Sequence, residues 1–254
     1  MTDTKQPKLC FERYEKKYII TPRQQETILA GMALRTVPDE YGRYTVCNIY
    51  YDTPDWRLIR ASIGKPDYKE KLRVRSYGVP EKDGRVFAEI KKKSLGIVYK
   101  RRITTDAESV AEVLACGGAG EVYGQTGREI DWFQHSFKTA PRVFIAYDRI
   151  AFAGIEDPDV RITFDTNLRW RDTELDLRLG DFGAPIVPGS DFVLMEIKLP
   201  GVCPLWLARL LSQARAYPAS FSKYGTCYTE HIAKKQLLQG KEGLKCLNPS
   251  SHPN

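Results

Sequence analysis

Lysine and arginine recur at every second position through segments that read as β-strands, and this alternation constrains the chain more than any other feature. Side chains of a strand alternate between its two faces, so residues at i, i+2 and i+4 share one face. In 67–78, Lys71, Arg73 and Arg75 therefore share a face, with Leu72 and Val74 opposite. In 85–93, Glu89, Lys91 and Lys93 stand opposite Ala88 and Ile90. Lys100 and Arg102 share a face, as do Arg13, Glu15 and Lys17, Arg161 and Asp165, and Glu196 and Lys198; Arg149 belongs to another such strand. Nearly every strand is charged on one side and apolar on the other.

Eight strand candidates fall at residues 10–20, 43–53, 67–78, 85–93, 97–105, 141–154, 159–171 and 192–200. Helical spacing marks 22–34 behind Pro22, 55–62, two stretches within 106–138, a helix opened by Pro204, and 219–238. The Gly-rich stretch 116–127 reads as a surface loop, because it lacks the Gly-Lys-Ser/Thr ending of a phosphate-binding loop. Short turns such as Asp83-Gly84 join the strands. The expectation is a single α+β domain over residues 8–238, followed by a flexible tail at 239–254. Eight antiparallel strands suffice to close a barrel. Helices then cover the apolar faces from outside, and the charged faces line a tunnel. So many cations facing one lumen repel one another unless a polyanion lies between them.

Composition narrows the class. The 254 residues are 42% hydrophobic and 28% charged, which is the balance of a folded globular chain, with a net charge of +7. No apolar run is long enough to span a bilayer, and the polar start lacks the apolar core of a secretory signal. The six cysteines contain no C-x-x-C pair and the three histidines are dispersed, so neither a disulfide framework nor a zinc site is expected. The expected compartment is the cytoplasm. A nucleic-acid binder would carry its basic residues on an exposed face with accessible aromatics, so nucleic acid is not the expected partner.

The segments FERYEKKYII, NIYYDTPD, KLRVRSYG, FAEIKKK, VYKRR, YDRIAF, VRITFDT, LMEIKLP and FSKYG occur in order over residues 11–225. Together they resemble the catalytic domain of the vacuolar transporter chaperone complex, the polyphosphate polymerase branch of the triphosphate tunnel metalloenzymes. The resemblance implies an eight-stranded antiparallel tunnel with flanking helices that binds ATP and polyphosphate with Mn²⁺ or Mg²⁺. Matched motif by motif, Lys17, Arg73, Arg75, Lys91, Lys100, Arg102, Arg149, Arg161, Lys198 and Lys223 become the phosphate-binding residues. Glu196 becomes the metal ligand, with Glu89 as a second candidate. Arg forks bind phosphate oxygens in pairs and Lys supplies point charges, so the residue types agree with the role.

The implied activity is ATP-dependent polyphosphate polymerisation. The terminal oxygen of the growing chain attacks the γ-phosphorus, and no side-chain nucleophile is required. Hydrolases of the superfamily open with Glu-x-Glu-x-Lys, whereas this chain has Arg13 in place of the first Glu, which favours the polymerase. The alternatives are a metal-dependent tripolyphosphatase or nucleoside triphosphatase, and a non-catalytic polyphosphate-binding module. Asp52 is expected to cap or pack, and Lys69 and Lys71 to lie at the tunnel mouth. Lys92 and Arg101 fall on the opposite strand faces, toward helices or solvent.

Overall fold

The computed structural model describes residues 14–95, 97–115 and 117–238. Strands and helices follow in the order β1 (Tyr14–Ile20), α1 (Pro22–Met32), β2 (Thr36–Asp52), α2 (Arg57–Ile63), β3 (Tyr68–Tyr77), β4 (Arg85–Ser94) and β5 (Ile97–Asp106). There follow α3 (Val110–Ala115), α4 (Ala119–Phe137), β6 (Ala140–Gly154), β7 (Arg161–Arg171), β8 (Ala184–Pro185), β9 (Val193–Leu199), α5 (Leu205–Gln213) and α6 (Lys223–Cys227). All eight expected strands are present, and the two-residue β8 is added. Arg13, on which the comparison with hydrolases turned, lies outside the described residues.

The chain forms two compact units. Of the described residues, the first holds those up to Tyr44 with Asp148–Thr166 and Gly189–Phe221; the second holds those in Thr45–Tyr147, Asn167–Pro188 and from Ser222 onward. β2, β6 and β7 are long enough to contribute to both.

In the first unit, β9 pairs antiparallel with β1 and with β7. The apolar positions of these strands, Tyr18, Ile20, Ile162, Phe164, Met195 and Ile197, form one core. Ile28 and Met32 of α1 and Leu207, Leu210 and Leu211 of α5 pack into it. Helix α1 starts where Pro22 predicts. Thr21 caps it and Gln24 returns the bond to the Thr21 backbone, so exposed N–H groups of the first turn are satisfied.

In the second unit, β2, β3, β4 and β5 pair antiparallel in chain order. Leu72, Val74, Ala88, Ile90 and Ile103 form its core with Val110 and Leu114 of α3 and Ile130 and Phe133 of α4. Helices thus cover the apolar strand face in each unit, as the alternation required.

Two expectations are corrected. The hydrogen-bonded strand order is β1-β9-β7-β6-β2-β3-β4-β5, with β8 beside β7, so strand pairing does not close the sheet into a barrel. The outer edge of β1 is already occupied: Tyr18 bridges Pro218, and the Ala219 N–H donates to the Lys17 carbonyl at 2.7 Å. The Gly-rich stretch is also mostly helix, since α4 begins at Ala119 and is broken only at Gly124, whose φ is 59°. Asp131 explains this, because its carboxylate accepts the Ala119 and Gly120 N–H groups at 3.2 and 2.7 Å. Gly127 is required there, since a Cβ would lie 2.0 Å from the Ala119 carbonyl oxygen.

Phe133 is fully buried, whereas Val122 on the same helix is 74% exposed. Phe133→Ala is expected to cost about 3–5 kcal/mol in urea unfolding, and Val122→Ala less than about 0.5 kcal/mol.

Candidate functional site

In the second unit the strand face opposite the one packed on α3 and α4 is dominated by cations. Cross-strand register places Tyr50, Arg73, Glu89 and Arg102 in one row, and Asn48, Arg75, Phe87 and Thr104 in the next. On the other side of the first row follow Lys71, Lys91 and Lys100, and then Lys69 and Lys93. Nine cations (Lys69, Lys71, Arg73, Arg75, Arg85, Lys91, Lys93, Lys100 and Arg102) therefore share this face of β3–β5 with two carboxylates, Glu89 at the centre and Asp106, which stands opposite Arg85 at one end.

Glu89 is 2% exposed and lies at the centre of the cluster. Arg73 donates its Nε to Glu89 Oε2 at 2.8 Å and places an Nη 2.7 Å from the same oxygen. Lys100 Nζ is 2.7 Å from Oε1, and Arg75 Nε approaches to 4.0 Å. Neutral partners complete the frame. Arg73 donates to the Tyr50 hydroxyl at 3.2 Å, and Arg75 donates to Asn48 Oδ1 at 2.9 Å and to the Tyr147 hydroxyl at 3.3 Å. Lys223 opens α6 and sits over the Tyr147 ring at 4.3 Å, which joins it to the same group. Lys91 is exposed and forms no ion pair among the described residues, and Arg102 stacks on Phe87 at 4.6 Å.

The electrostatics follow from this crowding. Burial alone would raise the Glu89 carboxyl, but Arg73, Arg75 and Lys100 outweigh it and hold the group down at about 2. Lys100 moves the other way. Burial lowers it, Glu89 only partly restores it, and repulsion from Arg73 and Arg75 leaves it at about 8 instead of its ordinary 10.5. Tyr50 is also lowered; burial opposes this, and Arg73, Arg75 and Lys71 overcome it.

The first unit carries a more balanced face. Glu15, Lys198 and Arg161 form one row, and Lys17, Glu196 and Thr163 the next. Lys17 Nζ lies 3.5 Å from Glu196 and 3.6 Å from Glu15, and donates to the Phe221 carbonyl at 3.1 Å. Arg149 grips Asp165 with both prongs, at 2.6 and 2.8 Å, and reaches toward Glu196 at 3.9 Å. Arg161 is exposed.

Among the described residues no three His, Cys, Asp or Glu side chains cluster as a ready-made metal cage. A Mg²⁺-like ion does not need one, because it binds through one or two carboxylates and fills its remaining positions with water and phosphate oxygens. Glu196 fits that demand: the buried Thr163 hydroxyl, directly across from it, has no hydrogen-bond partner among the described residues. Glu89 fits less well, since Arg73 and Lys100 each lie 2.7 Å from one of its oxygens, closer than Lys17 or Arg149 comes to Glu196.

The expected outward or helix-facing residues are where their phase put them. Arg101 pairs with Glu129 of α4, and Lys92 lies 3.7 Å from the same carboxylate. Asp52 caps α2, accepting the Leu58 and Ile59 N–H groups at 2.9 Å each and the Tyr224 hydroxyl at 2.8 Å. Sequence reasoning gave no role at the site to Asn48, Tyr50, Tyr147 and Thr163. Their strand phase was the available signal: Tyr147 is two residues from Arg149, and Asn48 and Tyr50 alternate along β2.

The family model described as the VTC domain matches residues 12–231. The chain belongs to the VTC domain family. This VTC domain is also similar to solved structures, and it shares the fold of the first of them. HpAC1 from Hippeastrum, described as having a dominant triphosphatase activity, is 15% identical with a TM-score of 0.53, over 85% of this chain and 95% of that one. A protein of Vibrio parahaemolyticus assigned as an adenylate cyclase is 12% identical with a TM-score of 0.44, over 85% and 97%. No curated protein matches the sequence. Among the described residues no helix is long and apolar enough to cross a membrane.

A phosphate group placed beside Lys100 raises its pKa again, so binding at pH 8 takes up protons. Affinity for tripolyphosphate is expected to be full below pH about 8 and to fall between there and the higher value of the bound state. Titration calorimetry in two buffers of different ionisation enthalpy measures the uptake directly, and Lys100→Met should abolish it.

Proposed function

We propose that this VTC domain is a metal-dependent polyphosphate polymerase that transfers the γ-phosphate of ATP to the end of a polyphosphate chain. The observation that carries the reading is the face of β3–β5, where nine cations stand against two carboxylates and only Glu89 is buried among them. A surface of that kind attracts an anion of high charge density, and membership of the VTC domain family supports a linear phosphate polymer as that anion.

In this reading Arg73 and Arg75 bind phosphate oxygens with guanidinium groups whose orientation is fixed beforehand by Glu89, Tyr50, Asn48 and Tyr147. Little rotamer freedom then remains to be lost on binding. Lys91, Lys100 and Arg102 add charge along the same face, and Lys223 binds from α6. Lys17, Arg149, Arg161 and Lys198 are the phosphate-binding residues of the first unit. The terminal oxygen of the chain forms the new bond to the γ-phosphorus as the bond to the β-bridging oxygen breaks, and ADP leaves with that electron pair. The cations neutralise charge on the transferred group. Glu196 would hold a divalent ion, Mn²⁺ or Mg²⁺, which when bound would supply further neutralisation of phosphate charge.

A second reading, triphosphate hydrolysis, is favoured by the three carboxylates Glu15, Asp165 and Glu196 on one face of the first unit. It also agrees with the triphosphatase activity described for HpAC1. Incubating the protein with ATP, Mn²⁺ and a short polyphosphate primer separates the two on a gel. Long polyphosphate with stoichiometric ADP is the expected product, whereas orthophosphate alone under all conditions would establish the hydrolase. Glu196→Gln should cut turnover by about 100-fold or more while leaving tripolyphosphate binding within about threefold, and unchanged turnover would place the ion elsewhere.

A further inference from the structure

One end of the β3–β4 ladder lacks the counterion that stabilises its centre. Lys69 stands directly opposite Lys93, and Lys71 opposite Lys91, which in turn faces Lys100 on β5. Like charges paired directly across antiparallel strands are destabilising. In the central rows Glu89 relieves this repulsion, but its reach ends with Arg73, Arg75 and Lys100. Lys65, Lys69, Lys91 and Lys93 make no ion pair among the described residues, and Lys69 has only a long contact to the Ser62 carbonyl at 3.5 Å. The Lys69 ammonium is held below its ordinary value by burial and then by Lys93, Lys91 and Lys65. The neighbouring acid of β3, Glu70, lies in the opposite strand phase and is buried there.

We infer that Lys69 and Lys93, with Lys65 beside them, form a subsite for the distal phosphates of a long linear polyphosphate, distinct from the Arg73–Arg75–Glu89 cluster. The inference rests on reading this face as phosphate-binding and adds a chain-length preference to it. From Arg73 to Lys69 is four residues, or about 13 Å of strand. Three phosphates joined by single oxygen bridges, held at Arg73 and Arg75, do not cover that distance, whereas a longer chain does. A second observation selects a polymer without bases. Tyr68 and Tyr99, the exposed aromatics at this end of the strands, are in the opposite phase, registered with Ser94 and Lys92. A single-stranded nucleic acid at this end of the lysine face would find no exposed ring among the described residues for its bases to stack on, since Tyr224, beside Lys71, is buried.

The test compares wild type with the double variant Lys69→Ala/Lys93→Ala, measuring affinity for inorganic tripolyphosphate, long-chain polyphosphate and a single-stranded RNA at several salt concentrations. The wild type is expected to prefer the long chain. The double variant should lose about tenfold or more for the long chain, and its slope of log affinity against log salt should flatten by roughly 0.7 per lysine removed. Its tripolyphosphate affinity should stay within about twofold of wild type. Because the substitutions relieve repulsion, its melting temperature without ligand should equal or exceed that of wild type, which also shows that the variant folds.

Equal losses for both phosphates would mean that the lysines contribute only to the general field, and no loss for either would remove the subsite; both results overturn the inference while leaving the polymerase reading intact. Tighter binding of RNA than of long polyphosphate would overturn it in favour of a nucleic-acid surface. A wild type that binds neither phosphate would sink the inference together with the function on which it rests.

Discussion

The contact on which the second unit depends is a single buried carboxylate among cations. Three cations converge on Glu89 within 4.0 Å, from β3 on one side and β5 on the other. Without it, strands that must lie about 4.8 Å apart to share hydrogen bonds would hold Arg73, Arg75, Lys100 and Arg102 against each other with no intervening charge. With it, the sheet retains a surplus of positive charge and the arginines are fixed in place. The desolvation of Glu89 is offset by the charge around it, so the group stays ionised far below the usual carboxylate range. Excess cation is thereby kept available for a ligand, and only as much of it as the fold requires is neutralised.

The opposite strand face supplies the stability that such a surface needs. Leu72, Val74, Ala88 and Ile90 are essentially fully buried beneath α3 and α4. In the first unit Ile162, Met195 and Ile197 are buried in the same way beneath α1 and α5. At roughly 1.5–3 kcal/mol for each large side chain removed from water, these faces support rows of like charge on the other side. The two-faced strand is therefore both the folding signal and the functional signal.

That double role explains what was legible in the sequence. Strand phase has a period of two, so Arg73, Arg75, Glu89, Lys91, Lys100 and Arg102 could be assigned to one face from spacing alone, and the register agrees. Lys92 and Arg101 were separable for the same reason. Closure of the sheet was not legible, because the segment that occupies the edge of β1, around Pro218 and Ala219, has no periodic pattern and meets β1 through backbone groups. The helical start of α4 was hidden because glycines normally argue against helix, and the Asp131 carboxylate that caps it lies about a dozen residues further on. The family resemblance offered Glu89 as a second metal candidate, and spacing reveals the face it shares but not how many cations reach it. The early start of β2 was masked by Gly42, whose φ of 60° interrupts the alternation that marks a strand.

The central claim, that Glu89 is a counterion for an anion-binding face, is tested most directly by urea unfolding of Glu89→Gln with and without saturating tripolyphosphate. Without the anion, the variant should lose about 3 kcal/mol or more, because three cations are left facing one another without a carboxylate. With tripolyphosphate the gap to wild type should narrow, since the ligand supplies the missing negative charge and binds the native variant more tightly. A variant as stable as wild type, or a deficit that the anion leaves unchanged, would contradict the account.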